Sequence, residues 1–135
     1  RFEGIVREST VVVFGNYRGI EGEWTKLPYI EQYEVISGKI SGARNVVKLP
    51  IEFLPYSSAP RFGWGLFFLV QCNSRFLVSG QGQGAYGLVG ERFLVPVSDS
   101  GAAKPLTKKE VAEAIDALNV LGAESSRVCE ALSEG

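Results

Sequence analysis

The stretch Phe62–Val97, which reads FGWGLFFLVQCNSRFLVSGQGQGAYGLVGERFLVPV, decides the fold of this chain. It contains three apolar runs rich in Phe, Leu and Val, at Trp64–Cys72, Arg75–Ser79 and Arg92–Val97. Such residues suit a pleated surface that is at least half buried, so the three runs are predicted to be strands. We expect the rest of the chain to pair with these strands or to cover them.

The junctions between the runs indicate how they connect. The first, Asn73-Ser74, is short and has turn chemistry, so Leu66–Cys72 and Arg75–Ser79 are predicted to form an antiparallel hairpin. The second junction is rich in glycine, which leaves few side chains to hold a regular element and allows positive φ angles. It is predicted to be a loop, or a strand pair with a glycine-rich tip. Its glycines are Gly80, Gly82, Gly84, Gly87 and Gly90.

The clearest helix signal follows the strands. Thr107-Lys-Lys-Glu110 is a capping box, in which the Thr107 hydroxyl accepts from the Glu110 amide and the Glu110 carboxylate accepts from the Thr107 amide. Apolar residues at helical spacing then predict an amphipathic helix over Lys108–Leu121, with Gly122 just after its end. The stripe consists of Val111, Ala114, Ile115, Leu118 and Leu121.

Further strands are predicted upstream. They are β-prone runs in Arg1–Arg7 and Thr10–Tyr17, an alternating run in Tyr33–Ile40, and the apolar run Val46–Leu54, which Pro50 breaks or places at a sheet edge. Six to eight strands would thus precede the helices, without alternation of the two.

This order predicts an α+β fold that is mainly antiparallel β. We expect a curved sheet or open barrel with the C-terminal amphipathic helix packed on one face. The chain is predicted to be a single domain over residues 1–135, with a strand-rich part over 1–97, a linker over 98–106 and a helical part over 107–133. Ser125 or Ser126 is predicted to cap a last short helix.

Composition argues against several kinds of chemistry. The chain has no His, which removes His-based triads, acid–base catalysis and most zinc sites. Cys72 and Cys129 have the spacing of neither a zinc-ligand set nor a redox pair, so two buried free thiols are favoured over a disulfide. We therefore expect no metal, no cofactor and no enzymatic activity.

Two short motifs suggest binding. Gly82-Gln-Gly84-Ala-Tyr-Gly87 matches G-x-G-x-x-G, a motif in which backbone amides approach a phosphate. A dinucleotide site needs a helix directly after this motif, whereas a strand is predicted here. A flexible hairpin tip is therefore the preferred interpretation. Gly63-Trp64-Gly65 is similar to part of the RNA-stacking strand of RNA-recognition motifs, with core packing as the alternative role. If exposed, these aromatics would stack on bases while arginines meet phosphates. The predicted nucleic-acid-binding residues are Arg61, Phe62, Trp64, Arg75, Tyr86 and Arg92.

The element order resembles the sheet-plus-helix unit of PUR, Whirly and mitochondrial guide-RNA-binding proteins. It consists of two apolar strands, a glycine loop, Arg92-Phe-Leu-Val-Pro-Val97, a linker and an amphipathic helix. The resemblance implies binding of single-stranded nucleic acid on the sheet surface and assembly as a homo-oligomer. Two other architectures share the element order. A pleckstrin-homology-like domain would imply an adaptor for proteins or lipid headgroups, and a lipocalin-like barrel would imply a small apolar ligand.

The leading functional hypothesis is a non-enzymatic domain that binds single-stranded RNA or DNA through an aromatic and arginine-bearing sheet face. The alternative is a protein-interaction or assembly module, and a further alternative is a small-ligand carrier. The net charge of −1 does not by itself require a polyanionic partner. No apolar run is long enough to span a bilayer and no signal peptide opens the sequence, so we expect a soluble intracellular protein of the cytoplasm or an organelle matrix.

Overall fold

A computed structural model describes residues 2–19, 28–42, 47–53, 63–98 and 100–134. Within these ranges the chain forms eight strands and three helices. In chain order they are α1 (Phe2–Glu8), β1 (Val11–Arg18), β2 (Tyr29–Gly38), β3 (Lys48–Pro50), β4 (Trp64–Cys72), β5 (Arg75–Val78), β6 (Ala85–Val89), β7 (Arg92–Val95), β8 (Lys104–Leu106), α2 (Lys108–Leu118) and α3 (Ser125–Glu134).

The strands form one open, curved sheet in the order β3-β2-β1-β4-β6-β7-β8, and neighbouring strands are antiparallel. Strand β4 is central. Its beginning, Gly65–Phe67, pairs with β6, whereas its end, Leu69–Cys72, pairs with β5. The predicted α+β class is therefore confirmed, and so is the β4–β5 hairpin, whose turn residue Asn73 has a positive φ of 59°.

Alternation along the strands divides the core between the two faces of the sheet. Phe67 and Leu69 point to one face, and Leu66 and Phe68 point to the other. Because β4 is buried on both faces, its sequence is almost continuously apolar. The first face is filled by packed side chains, namely Val11, Val13, Tyr17, Ile30, Leu49, Ile51, Phe53, Phe67, Leu69, Phe76 and Val78. This packing gives no support to the small-ligand carrier.

Helix α2 covers the second face, as predicted. Val111 and Ile115 are buried against it, and Leu118 is partly buried there. The helix ends earlier than expected, at Asn119, whose φ of 53° places it in the left-handed region. Asn tolerates this conformation well, so it stops the helix before the predicted end at Leu121.

The predicted strand over Arg1–Arg7 is wrong, because Phe2–Glu8 is a helix. Its buried residues Phe2, Ile5 and Val6 follow i, i+3, i+4 spacing and pack on the same sheet face as α2. Two more differences concern connections. Of the two alternatives for the glycine-rich junction, the plain loop is wrong, because the junction includes strand β6, and the predicted linker 98–106 includes strand β8.

The prediction of two free thiols is also wrong. Cys72 and Cys129 form a disulfide, with Cα atoms 5.4 Å apart and a sequence separation of 57. The bond joins the end of β4 to the middle of α3, where Val128 and Leu132 pack beside it. Sequence spacing could not reveal this pair, because tertiary packing brings α3 to β4.

Candidate functional site

The glycine-rich junction is a packed turn. The Gly80 amide donates to a Glu8 carboxylate oxygen at 3.0 Å, the Gln83 amide to the Gly80 carbonyl at 3.1 Å, and the Gly84 amide to the Ser79 carbonyl at 3.0 Å. A Cβ at Gly84 would lie 3.1 Å from the Phe68 Cβ, so this glycine permits close packing. Three amides of the junction are thus engaged within the fold rather than directed at a ligand.

The structure separates the predicted nucleic-acid-binding residues. Arg75 lies on β5 and forms a two-point pair with Glu52, with N···O distances of 2.8 and 2.6 Å. Tyr86 turns into the core, where its ring meets Phe68 edge-on at 5.7 Å and burial raises the pKa of Tyr86 to about 12. Arg92 pairs with Glu110 at 3.1 Å. Trp64 is the exposed aromatic of the set, and Arg61 and Phe62 lie outside the described residues.

A groove lies on the sheet face that α2 covers, and Trp64 stacks on one of its lining residues, Phe14. The groove has a volume of about 410 Å³. Its floor consists of apolar side chains from three strands, Phe14 on β1, Leu88 on β6 and Phe93 on β7. The β6–β7 turn and the beginning of α2 form its walls. We call this site the aromatic groove, and its lining residues are Phe14, Leu88, Gly90, Glu91, Phe93, Thr107, Lys108 and Lys109.

Phe14 makes the most ring contacts of the residues that line the aromatic groove. Its ring stacks on Trp64 with centroids 5.4 Å apart, and it meets Phe93 edge-on at 5.7 Å. The Lys108 ammonium lies 4.7 Å from the centroid of the Phe14 ring and donates to Glu34 at 2.9 Å. Contacts from several directions therefore fix the floor before any ligand arrives.

The capping box of α2 fixes the helical wall. The Glu110 amide donates to the Thr107 hydroxyl at 3.2 Å, and the Thr107 amide donates to the Glu110 carboxylate at 2.9 Å. The backbone hydrogen bond from Thr107 is the main cause of a lowered pKa of Glu110, with further contributions from the Thr107 side chain and from Arg92. This arrangement holds Lys108 and Lys109 beside the groove.

The cap should weaken in acid. Because the folded state lowers the pKa of Glu110, the stability that its carboxylate contributes is fully present above the unfolded pKa and is lost as the pH falls through the folded pKa. We expect the difference in unfolding free energy between wild type and Glu110→Gln to shrink as the pH falls across the acidic range. Urea denaturation at a series of pH values measures it, and a difference independent of pH would contradict the cap.

The unpaired charges of the aromatic groove are of both signs. Within the part of the chain that the structure describes, Lys109 and Glu91 form no ion pair, whereas Lys108 and Arg92 are each paired with a glutamate. The described residues also include no group of three or more His, Cys, Asp or Glu that could hold a metal ion. The chemistry that the groove offers is therefore apolar contact with a few charges at its border.

Sequence reasoning identified Trp64 but missed the residues that build the groove around it. Phe14, Leu88 and Phe93 read as ordinary strand residues, and Lys108 and Lys109 as the exposed start of a helix. The sequence signal that Phe14, Leu88 and Phe93 share is that each is a large apolar residue within a strand.

None of the helices in the described ranges has the length and apolar character needed to cross a membrane. Comparison of the chain with protein-family models, with curated proteins and with solved structures found no match.

Proposed function

We propose that this chain is a non-enzymatic protein-interaction domain whose aromatic groove receives a large apolar side chain of a partner polypeptide. The observation that carries the proposal is the exposed apolar surface at the groove. Trp64 and Leu88 keep 39% and 37% of their surface exposed where α2 no longer covers the sheet. Exposed apolar surface next to a preformed concavity is typical of binding sites.

The groove suits an anchoring side chain. Its volume of about 410 Å³ falls within the roughly 300–1,000 Å³ that is usual for ligand pockets. The Phe14 ring is already held by Trp64, Phe93 and Lys108, so binding would order few additional side chains. A preorganised aromatic pocket of this kind is where a single residue of a partner contributes most of the affinity.

The α2 side of the groove, opposite in charge to Glu91, favours a carboxylate next to that anchor. Lys109 is unpaired within the described residues and lies in the first turn of α2, where the helix dipole also favours negative charge. The preferred ligand is therefore a polypeptide segment with Leu, Phe or Trp beside Asp or Glu.

Single-stranded nucleic acid is the competing ligand. The affinity of a protein for single-stranded nucleic acid depends on several unpaired cationic side chains that contact phosphates. Here Arg75 and Arg92 are paired with glutamates, Tyr86 is partly buried against Phe68, and the net charge of the chain is −1. Of the described aromatic residues in the predicted set, Trp64 is the one with the exposure that base stacking requires. These observations favour the polypeptide.

The proposal predicts unequal effects at two neighbouring residues. Leu88 lines the groove, whereas Val89 is 64% exposed and, by strand alternation, points to the opposite face. Leu88→Asp should weaken peptide binding by about tenfold or more, because it places a charge in the apolar floor. Val89→Asp is the matched control and should leave the affinity within about twofold.

The measurement uses fluorescent peptides in which one Leu, Phe or Trp stands beside Asp or Glu in a Gly/Ser background. Counterparts with Lys in place of the acidic residue test the charge preference, and a short oligouridine at low salt tests nucleic acid. Binding of the acidic peptides that Leu88→Asp removes would support the proposal. Equal loss in both variants, or binding of oligouridine without any peptide, would contradict it.

A further inference from the structure

Helix α3 is attached to the rest of the fold differently at its two ends. Hydrogen bonds to α1 hold the amino end, where the Gly122 amide donates to the Val6 carbonyl at 3.3 Å and the Glu124 amide donates to the Arg7 carbonyl at 2.7 Å. The Ser125 hydroxyl also donates to the Gly122 carbonyl at 2.9 Å. This end of α3 is therefore fixed by the backbone of α1.

The later part of α3 is attached to the sheet by apolar packing, whereas backbone hydrogen bonds to α1 hold its amino end. Val128 and Leu132 are only partly buried, against Val70 and Leu77 of the sheet. Arg127 and Ser133 donate hydrogen bonds to Glu124 and Glu130, within or just before the same helix. These contacts support the helix itself but do not attach it to the sheet.

The disulfide provides the covalent attachment at this point. Cys129 lies between Val128 and Leu132 on α3, and Cys72 lies at the end of β4. The two sulfur-bearing residues differ in access, because Cys72 is 8% exposed whereas Cys129 is partly exposed. An attacking thiolate would therefore reach Cys129 more readily than Cys72.

We propose that the Cys72–Cys129 disulfide is a thiol-controlled latch on the later part of α3. A dithiol reductant attacks the Cys129 sulfur as a thiolate, forms a mixed disulfide and releases Cys72 as a thiolate, which takes up a proton. The second thiol of the reductant then resolves the mixed disulfide and releases Cys129, which is likewise protonated. The reductant leaves as its own disulfide, so two electrons and two protons pass to the protein.

Opening the latch would release residues 126–133 while the amino end stays attached to α1. Val70 and Leu77, which are buried under the helix in the oxidised state, would become accessible, as would the apolar face of α3 with Val128 and Leu132. This inference is independent of the aromatic groove, which lies on other elements.

Amide hydrogen exchange of the whole chain, read by mass spectrometry of peptic fragments, tests the latch. Samples are compared oxidised and after reduction by dithiothreitol without denaturant, with intact mass confirming the redox state. On reduction we expect exchange across 126–133 to accelerate by at least about tenfold more than exchange across α2 and β1, whose acceleration reports only the loss of global stability. Cys129→Ser should match the reduced wild type, and Val128→Ala, which keeps the disulfide, should retain most of the protection.

Three results would overturn the latch. The first is resistance of the disulfide to dithiothreitol until the chain is denatured, and the second is unchanged exchange in α3 after complete reduction. The third is a loss of protection in α2 and β1 as large as the loss in α3, which would mean that the disulfide stabilises the whole fold without a separate effect on α3. If Cys129→Ser does not fold, the reduced wild type still decides among these results.

Discussion

Replacing Phe68 with alanine is expected to lower the free energy of unfolding by about 3–5 kcal/mol. Phe68 lies on the central strand β4, is fully buried, and meets the rings of Phe2 and Tyr86 edge-on at 5.8 and 5.7 Å. Truncation would leave a cavity between the sheet and α1, which close-packed neighbours could fill only in part. Urea denaturation of the purified variant measures the loss.

Leu94→Ala is the matched control for this substitution. Leu94 is also a large apolar strand residue but is 49% exposed, so its truncation should change the unfolding free energy by no more than about 0.5 kcal/mol. Equal losses in the two variants would show that the helix-covered face of the sheet is not the core described above.

Removing the cross-link should have the second large effect. The double variant Cys72→Ala, Cys129→Ala is expected to lose about 4 kcal/mol of unfolding free energy, because the disulfide closes a loop between residues separated by 57 positions and restricts the unfolded chain. The comparison is made by denaturation without reductant. Most of the difference should disappear when wild type is measured in reductant. If the difference persists there, lost packing and not the cross-link would be its cause.

Local sequence signals predicted the elements that local physics determines. The capping box at Thr107 and Glu110 fixed the start of α2, and the Asn73 turn between two apolar runs predicted the β4–β5 hairpin. The N-terminal helix was missed because Phe2, Ile5 and Val6 form a short apolar set whose β-prone residues also suit a strand. The packing of these residues on the sheet, rather than their intrinsic preference, makes the segment helical.

The candidate site was less predictable than the fold. The lining of the aromatic groove combines β1, the β6–β7 hairpin and the start of α2, so no single stretch of sequence contains it. Arg75 and Arg92 are of a residue type suited to phosphate contacts, but their glutamate partners lie 23 and 18 residues away in sequence, and only tertiary structure brings them together. Of the aromatic residues singled out from sequence that the structure describes, Trp64 is the exposed one.

The most direct test of the aromatic groove as a peptide-binding site is a map of amide chemical-shift changes in ¹⁵N-labelled protein during titration with a peptide that carries Trp beside Glu. We expect saturable changes concentrated at Phe14, Leu88 and Lys109, with small changes at Leu94 on the opposite face of β7 and at Arg75 on β5. Changes centred on Leu94 or Arg75, or none at the groove while oligouridine shifts Trp64, would contradict peptide binding at the groove.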